Sequence, residues 1–156
     1  MDESDYIKIG LMALFLIASA FFSGTETAFI ALQRVRMIHL VTIGVPGAQR
    51  VFRMTQRPER FLPTVLLGNN IVNTAAAALG TAIVISILDS TITALLVSTV
   101  GVSALILVFS EVLPKSVSAR HPEKVAFATI RPLLIFEWFC FPLTRALSIF
   151  SYLAAR

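Results

Sequence analysis

Residues 92–110 run for about twenty positions without a charged side chain, and position 111 is then a glutamate. A stretch of that length and polarity is stable as a helix across the hydrocarbon layer of a membrane, because a helix pairs its backbone groups internally. Glu111 therefore sits at or near membrane depth, where an ionisable side chain is a candidate functional group. Pro114 adds a second constraint. It has no N–H, so in a continuing helix the C=O of Ser110 loses its four-residue partner. A freed carbonyl, the Ser110 hydroxyl and the Glu111 carboxylate then lie on adjacent residues, and a hard cation suits all three.

Two further apolar regions extend the argument to an all-α membrane protein of three transmembrane helices with amphipathic juxtamembrane helices. Only 14% of the 156 residues are charged, where soluble domains average roughly 25%, and 56% are hydrophobic. Residues 7–22 are largely apolar, S-G-T-E-T interrupts them, and residues 28–32 resume. Sixteen residues are marginal for about 30 Å of hydrocarbon, so the first span must take in Ser23, Gly24, Thr25 and Glu26. Ser23 followed three residues later by Glu26 is a capping-box pattern. It predicts a helix broken at Gly24, with the carbonyls of residues 19–22 exposed as in the discontinuous helices that bind cations. The second span covers residues 61–88 and holds Asn69, Asn70 and Asn73 on one region of a helix. Ala76 and Gly80 follow at the spacing that lets another helix approach closely. A short exterior turn, L-D-S-T, leads to the third span.

Charge sets the topology. Residues 33–60 hold Arg34, Arg36, Arg50, Arg53, Arg57 and Arg60 against Glu59, and Arg120, Lys124 and Arg131 follow the third span. By the positive-inside rule both segments are cytoplasmic and the acidic N-terminus is outside. The formal charge of +4 is thus a topology signal, and no nucleic acid partner is expected. Val35, Ile38, Val51 and Met54 recur at helical spacing, which predicts amphipathic helices on membrane lipid, turned at residues 44–47. Residues 1–120 thus form the three-helix domain and residues 121–156 a juxtamembrane region. Its apolar part contains Pro132, Glu137, Pro142 and Arg145; a fourth span would bury both charges near its middle, so the preferred reading is two interfacial helices hinged near Pro142, with Trp138 and Tyr152 at headgroup level. The start M-D-E-S-D-Y lacks the positive n-region of a secretory signal, so the first run is read as an anchor. Cys140, the one cysteine, has no internal disulfide partner.

Each polar residue also has a bland reading. A membrane asparagine contributes about 0.6 kcal/mol on average by bonding a neighbouring helix, Glu26 serves equally as a cap, and Lys115 is an interfacial anchor or the four-residue partner of Glu111. Their coincidence favours function: each span carries one polar cluster, and all three fall in the inner half of the membrane. The common chemistry is oxygen without histidine or cysteine, which points to Mg²⁺, Ca²⁺ or Na⁺.

The strings F-F-S-G-T-E-T-A, L-L-G-N-N-I-V-N-T-A-A and S-E-V-L-P-K, in that order, resemble the membrane domain of the CorC/CNNM family of Mg²⁺ transport proteins. The resemblance covers most of the chain. It implies three membrane helices, a juxtamembrane helical region, a homodimer, and Mg²⁺ export with Na⁺ influx as the proposed coupling. The positions it marks for the ion are Ser23, Glu26, Asn70, Asn73 and Glu111, with Asn69 nearby. Ser110 stands where such families often have glycine, adding a hydroxyl beside the retained carbonyl. Full-length members carry cytoplasmic CBS and acidic C-terminal domains to which nothing here corresponds, so an isolated membrane domain without nucleotide binding is expected.

The reading is a magnesium transporter of the inner (plasma) membrane, with Mg²⁺ as substrate and Na⁺ as the coupling candidate. The alternative is a non-transporting Mg²⁺ sensor or scaffold that signals to cytoplasmic partners. An enzyme is not expected, since no Ser/His or Asp/Asp constellation occurs and neither histidine falls within a span.

Overall fold

The structure is a computed structural model that describes the backbone of residues 3–88 and 91–154 and the side chains up to Cys140, those of Ser4 and Thr91 apart. The exterior turn at Asp89 and Ser90 and the side chain of Tyr152 lie outside the described residues. Helix α1 (Glu3–Ala31) is followed by the short α2 (Arg34–Thr42) and α3 (Ala48–Thr55), then by α4 (Pro58–Ile87). The third apolar segment comprises α5 (Thr91–Leu105), a π-helical turn (Ile106–Val112) and α6 (Leu113–Arg120), and α7 (Pro122–Ala154) completes the chain. Among the described residues three segments are long and apolar enough to cross a membrane: Asp5–Ala31, Pro58–Ile87 and Ile92–Arg120.

Side-chain contacts fix how the spans run. Ser19 meets Asn69 and Asn73, Phe22 packs on Gly68, and Phe29 packs on Phe61, so advancing along α1 means retreating along α4. Ser110 meets Leu16 and Ser118 meets Gly24, so the third span runs parallel to α1. The loop of α2 and α3 and the α6–α7 junction therefore lie at one end of the bundle. An ion pair between Arg36 Nε and Glu123 Oε1, 2.9 Å long, joins them.

Two expected breaks are absent. Helix α1 continues through Gly24, because breaking it at membrane depth would strip up to four N–H and four C=O groups of their partners, whereas a glycine in a helix costs about 1 kcal/mol. The polar insert is absorbed into the helix: Thr25 Oγ1 donates to Phe21 C=O at 2.6 Å and Thr27 Oγ1 to Ser23 C=O at 3.2 Å. Gly24 instead permits close packing, since a Cβ there would lie 2.9 Å from Ser118 Oγ. Likewise α7 is one helix and not two hinged near Pro142. Each proline removes one backbone bond, while a break removes several.

The packed core sits at the basic end, where the spans meet the short helices. Phe22, Phe29, Phe61 and Val65 from α1 and α4 join Met37 and Leu40 of α2, Val51 and Met54 of α3, and Ile130 and Leu133 of α7. Gly44 (φ 76°) and Gly47 (φ 88°) take the left-handed conformation that turns α2 into α3. Helix α2 buries Met37 and Leu40 and leaves Val35 and Ile38 outward, so both of its faces are partly apolar. Burial pushes the Cys140 thiol pKa up, which keeps this α7 side chain protonated. Away from this end the spans expose large apolar side chains such as Ile17, Ile92, Leu96 and Val100, a surface suited to lipid.

The close approaches of α4 can be tested. A Cβ at Gly68 would lie 2.5 Å from the Phe22 ring, itself held against Phe21 and Phe136, whereas one at Gly101 meets nothing within 4 Å. Gly68→Ala should destabilise the protein by about 1–3 kcal/mol, and Gly101→Ala should be neutral or stabilise it by up to about 1 kcal/mol. Thermal unfolding in detergent distinguishes the two; an unchanged midpoint for Gly68→Ala would contradict the α1–α4 register.

Candidate functional site

The polar clusters of the three spans converge on one stripe of α1. Leu16, Ser19, Ser23 and Glu26 are three or four residues apart and therefore share a face, with about 6 Å of rise between Ser19 and Ser23. Ser19, fully buried, is the centre. Its Oγ lies 2.5 Å from Asn73 Oδ1 and 3.0 Å from Asn69 Oδ1. A hydroxyl has one proton, so it satisfies one amide oxygen and leaves the other in need of a donor or a cation. From the far side of Asn73, Nδ2 donates to Glu111 Oε1 at 3.4 Å, a long contact that leaves most of the carboxylate's accepting capacity unused. One chain of contacts thus crosses from α1 through α4 to the third span.

The third span reaches this layer through the π-helical turn. The N–H of Leu113 bonds the C=O of Val108, five residues back. In that register the partner of Phe109 C=O would be Pro114, and in the α register the partner of Ser110 C=O would be Pro114 as well; proline supplies neither. The freed carbonyl expected at Ser110 therefore gains a neighbour at Phe109. Such single π turns recur at functional sites because they rotate side chains and carbonyls out of the regular ladder. Ser110 is fully buried and its Oγ donates to Leu16 C=O at 3.2 Å, so its hydroxyl ties the turn to α1. Among the described residues Glu111 and Lys115 form no ion pair.

One atom stands out. Ser23 Oγ is buried and has no hydrogen-bond partner among the described residues. Its neighbours Thr25 and Thr27 both bond back to the helix, and Ser23 does not. A buried hydroxyl without a partner costs about 1–3 kcal/mol, which an ion's coordination would repay. Glu26, half-buried, lies one turn further along the same stripe. Asn70 is exposed, so α4 turns Asn69 and Asn73 toward Ser19 and presents Asn70 outward. Among the described residues no three His, Cys, Asp or Glu side chains gather in one place. A cation bound at this layer would be held by one carboxylate and neutral oxygens, a donor set suited to hard ions.

Sequence reasoning missed Ser19 and the π turn. Ser19 lies four residues before Ser23, the helical spacing that would have marked it had the first span been read as unbroken.

Three packed spans that share a layer of hydroxyl, amide and carboxylate oxygens define a polytopic membrane domain with an internal polar site. The chain belongs to the CNNM family, whose model, described as the Cyclin M transmembrane N-terminal domain, matches residues 10–156. It is 36% identical over 138 residues to the UPF0053 inner membrane protein YfjD of Escherichia coli, covering 88% of this chain and 32% of that protein. A UPF0053 protein of Haemophilus influenzae is 33% identical over 141 residues, covering 90% of this chain and 33% of that protein. A DUF21 domain-containing chloroplastic protein of Arabidopsis thaliana is 31% identical over 142 residues, covering 90% of this chain and 21% of the relative. The chain spans about a third of the length of the two bacterial relatives.

Two serines one turn apart should respond oppositely to truncation. Ser23→Ala removes an unpartnered hydroxyl and should stabilise the protein in chelator by about 1 kcal/mol. Ser19→Ala strands two amides and should destabilise it by about 1–2 kcal/mol. Thermal unfolding in excess chelator measures both, and equal losses for the two would mean that the Ser23 hydroxyl is paired.

Proposed function

We propose that this chain is the membrane-embedded part of a magnesium transporter, with Mg²⁺ bound as substrate in the layer formed by Ser23, Asn69, Asn73 and Glu111. The observation that carries the reading is the buried, unpartnered Ser23 hydroxyl one turn along α1 from the contacts joining Ser19, Asn69, Asn73 and Glu111. Glu111 supplies the charge, Ser23 and the asparagines neutral oxygens, and the carbonyls of Phe109 and Ser110 the freed lone pairs of the π turn. Ser19 acts as a positioning residue that aims both amides. Mg²⁺ takes six oxygens at about 2.1 Å and gives up water reluctantly, so retained waters complete the shell. Glu26, further toward the basic end, is the second carboxylate on the path and a candidate ligand for Na⁺.

The arginine-rich end faces the cytoplasm by the positive-inside rule, which puts the N-terminus outside; export from the cytoplasm is the direction that the family resemblance implies. The protein works as a homodimer in the inner (plasma) membrane, with the exposed Asn70 outside the ion layer of its own protomer. Membrane lipid surrounds it. No nucleic acid partner is proposed, and nucleotide binding is assigned to no part of this chain.

Mg²⁺ at a hundred times its dissociation constant should stabilise the folded protein by about 2.7 kcal/mol. Glu111→Ala should abolish both this protection and Mg²⁺ flux in sealed proteoliposomes, while Asn70→Ala should leave the protection in place. Protection without flux in the unmodified protein would make the domain a sensor. Full protection and flux in Glu111→Ala would remove Glu111 from the site.

A further inference from the structure

A second polar site lies at the basic end, apart from the ion layer. A cavity of about 360 Å³ between α3, the start of α4 and α7 is lined by Arg50, Arg53, Arg57 and Arg60 over an apolar floor of Met54 and Leu134, with Glu137 on one wall. That volume falls in the range of small-ligand sites. Four guanidinium groups face one carboxylate, and among the described residues none of the five takes part in an ion pair. Like charges gathered in one cavity repel, so the arrangement is stabilised by an anion. Guanidinium forks match the geometry of phosphate oxygens.

Position narrows the class of anion. Arg57 and Arg60 flank the first turn of α4, where the second span leaves the membrane. On the same turns of α7 that supply Leu134 and Glu137, an apolar hollow is lined by Pro132, Ile135, Phe136, Trp138 and Phe139. Ile135, Trp138 and Phe139 are 71–81% exposed, and an aromatic strip of this kind belongs at headgroup level. A charged cup beside an exposed apolar strip matches an amphiphile with a phosphate head and hydrocarbon tails.

We infer that this cavity binds the phosphate headgroup of an anionic phospholipid, its acyl chains lying along the Ile135, Trp138 and Phe139 face of α7. Glu137 discriminates: its charge disfavours heads with more negative charge than the four arginines can match.

Titrating the purified protein in detergent micelles with phosphatidylglycerol, while following thermal unfolding, tests the assignment. Phosphatidylglycerol should stabilise the protein, whereas phosphatidylcholine and inorganic phosphate at equal concentration should not. Arg53→Gln combined with Arg57→Gln should weaken the apparent lipid affinity roughly thirtyfold. Removing the same charge outside the cup, by Arg120→Gln with Lys124→Gln, should cost no more than about threefold. Glu137→Gln should tighten binding, a gain that misfolding cannot produce. Equal protection by inorganic phosphate would make this a free-anion pocket, and protection by a poly-glutamate peptide without phosphatidylglycerol would make it a protein-docking surface. Equal losses for the two double variants would reduce it to diffuse surface charge. Each of these three results overturns the inference.

Discussion

The contact between Ser19 and the amides of Asn69 and Asn73 holds the rest of the arrangement in place. Helices in lipid gain little from hydrophobic burial against each other, so their register depends on close packing and on the few polar bonds between them. Ser19 supplies the polar bond and Gly68 the close packing: the first sets which turn of α4 faces α1, and the second lets the Phe22 ring seat against the α4 backbone. Once that register is fixed, Asn73 reaches Glu111 and the third span is located as well. A single hydroxyl thus joins fold to site, because the bond that aligns the helices also turns two amide oxygens inward.

Continuity of the helices explains how the site is made. A broken first span would offer carbonyls at Gly24, but at the cost of leaving several backbone groups bare in a medium that cannot hydrogen-bond to them. The chain instead frees carbonyls where it can do so cheaply. A π turn adds one residue without ending the helix, and Pro114, placed just after it, withholds one N–H. Ser110 then pins the loosened turn to Leu16 of α1, so the distortion is held in one conformation. This accounts for a serine at that position: its hydroxyl makes an interhelical tie.

Much of this architecture was legible in the sequence because lipid imposes strong rules on composition. Three spans, a basic loop turned at Gly44 and Gly47, and a polar cluster in each span all follow from runs of apolar residues and their interruptions. What the sequence obscured is local competition. Ser23 and Glu26 have the spacing of a capping box, but in a membrane the penalty of a break outweighs the benefit of a cap, so α1 continues. Asn69, Asn70 and Asn73 all fit one face within helical tolerance. Which two turn inward was decided by Ser19, a residue that an apolar run hides. The prolines of α7 looked like hinges for the same reason that Gly24 looked like a break. The π turn has no pattern of its own, and Pro114 marks only where its bonding must end.

The charge count of the layer bears on what such a site can do with an ion. One carboxylate neutralises half of a divalent cation, and the remaining stabilisation must come from dipoles of hydroxyls, amides and carbonyls. Calcium sites span many orders of magnitude in affinity according to ligand charge and rigidity, and those built to hold the ion gather several carboxylates. Passage through a membrane requires the opposite balance, attraction sufficient to draw the ion from water and weak enough to release it. Neutral oxygens also reorient at little electrostatic cost, and the Asn73 Nδ2 bond to Glu111 keeps that amide beside the carboxylate. A second carboxylate, the half-buried Glu26, stands one turn beyond Ser23 and outside the first group of contacts, so it adds no charge to the layer itself.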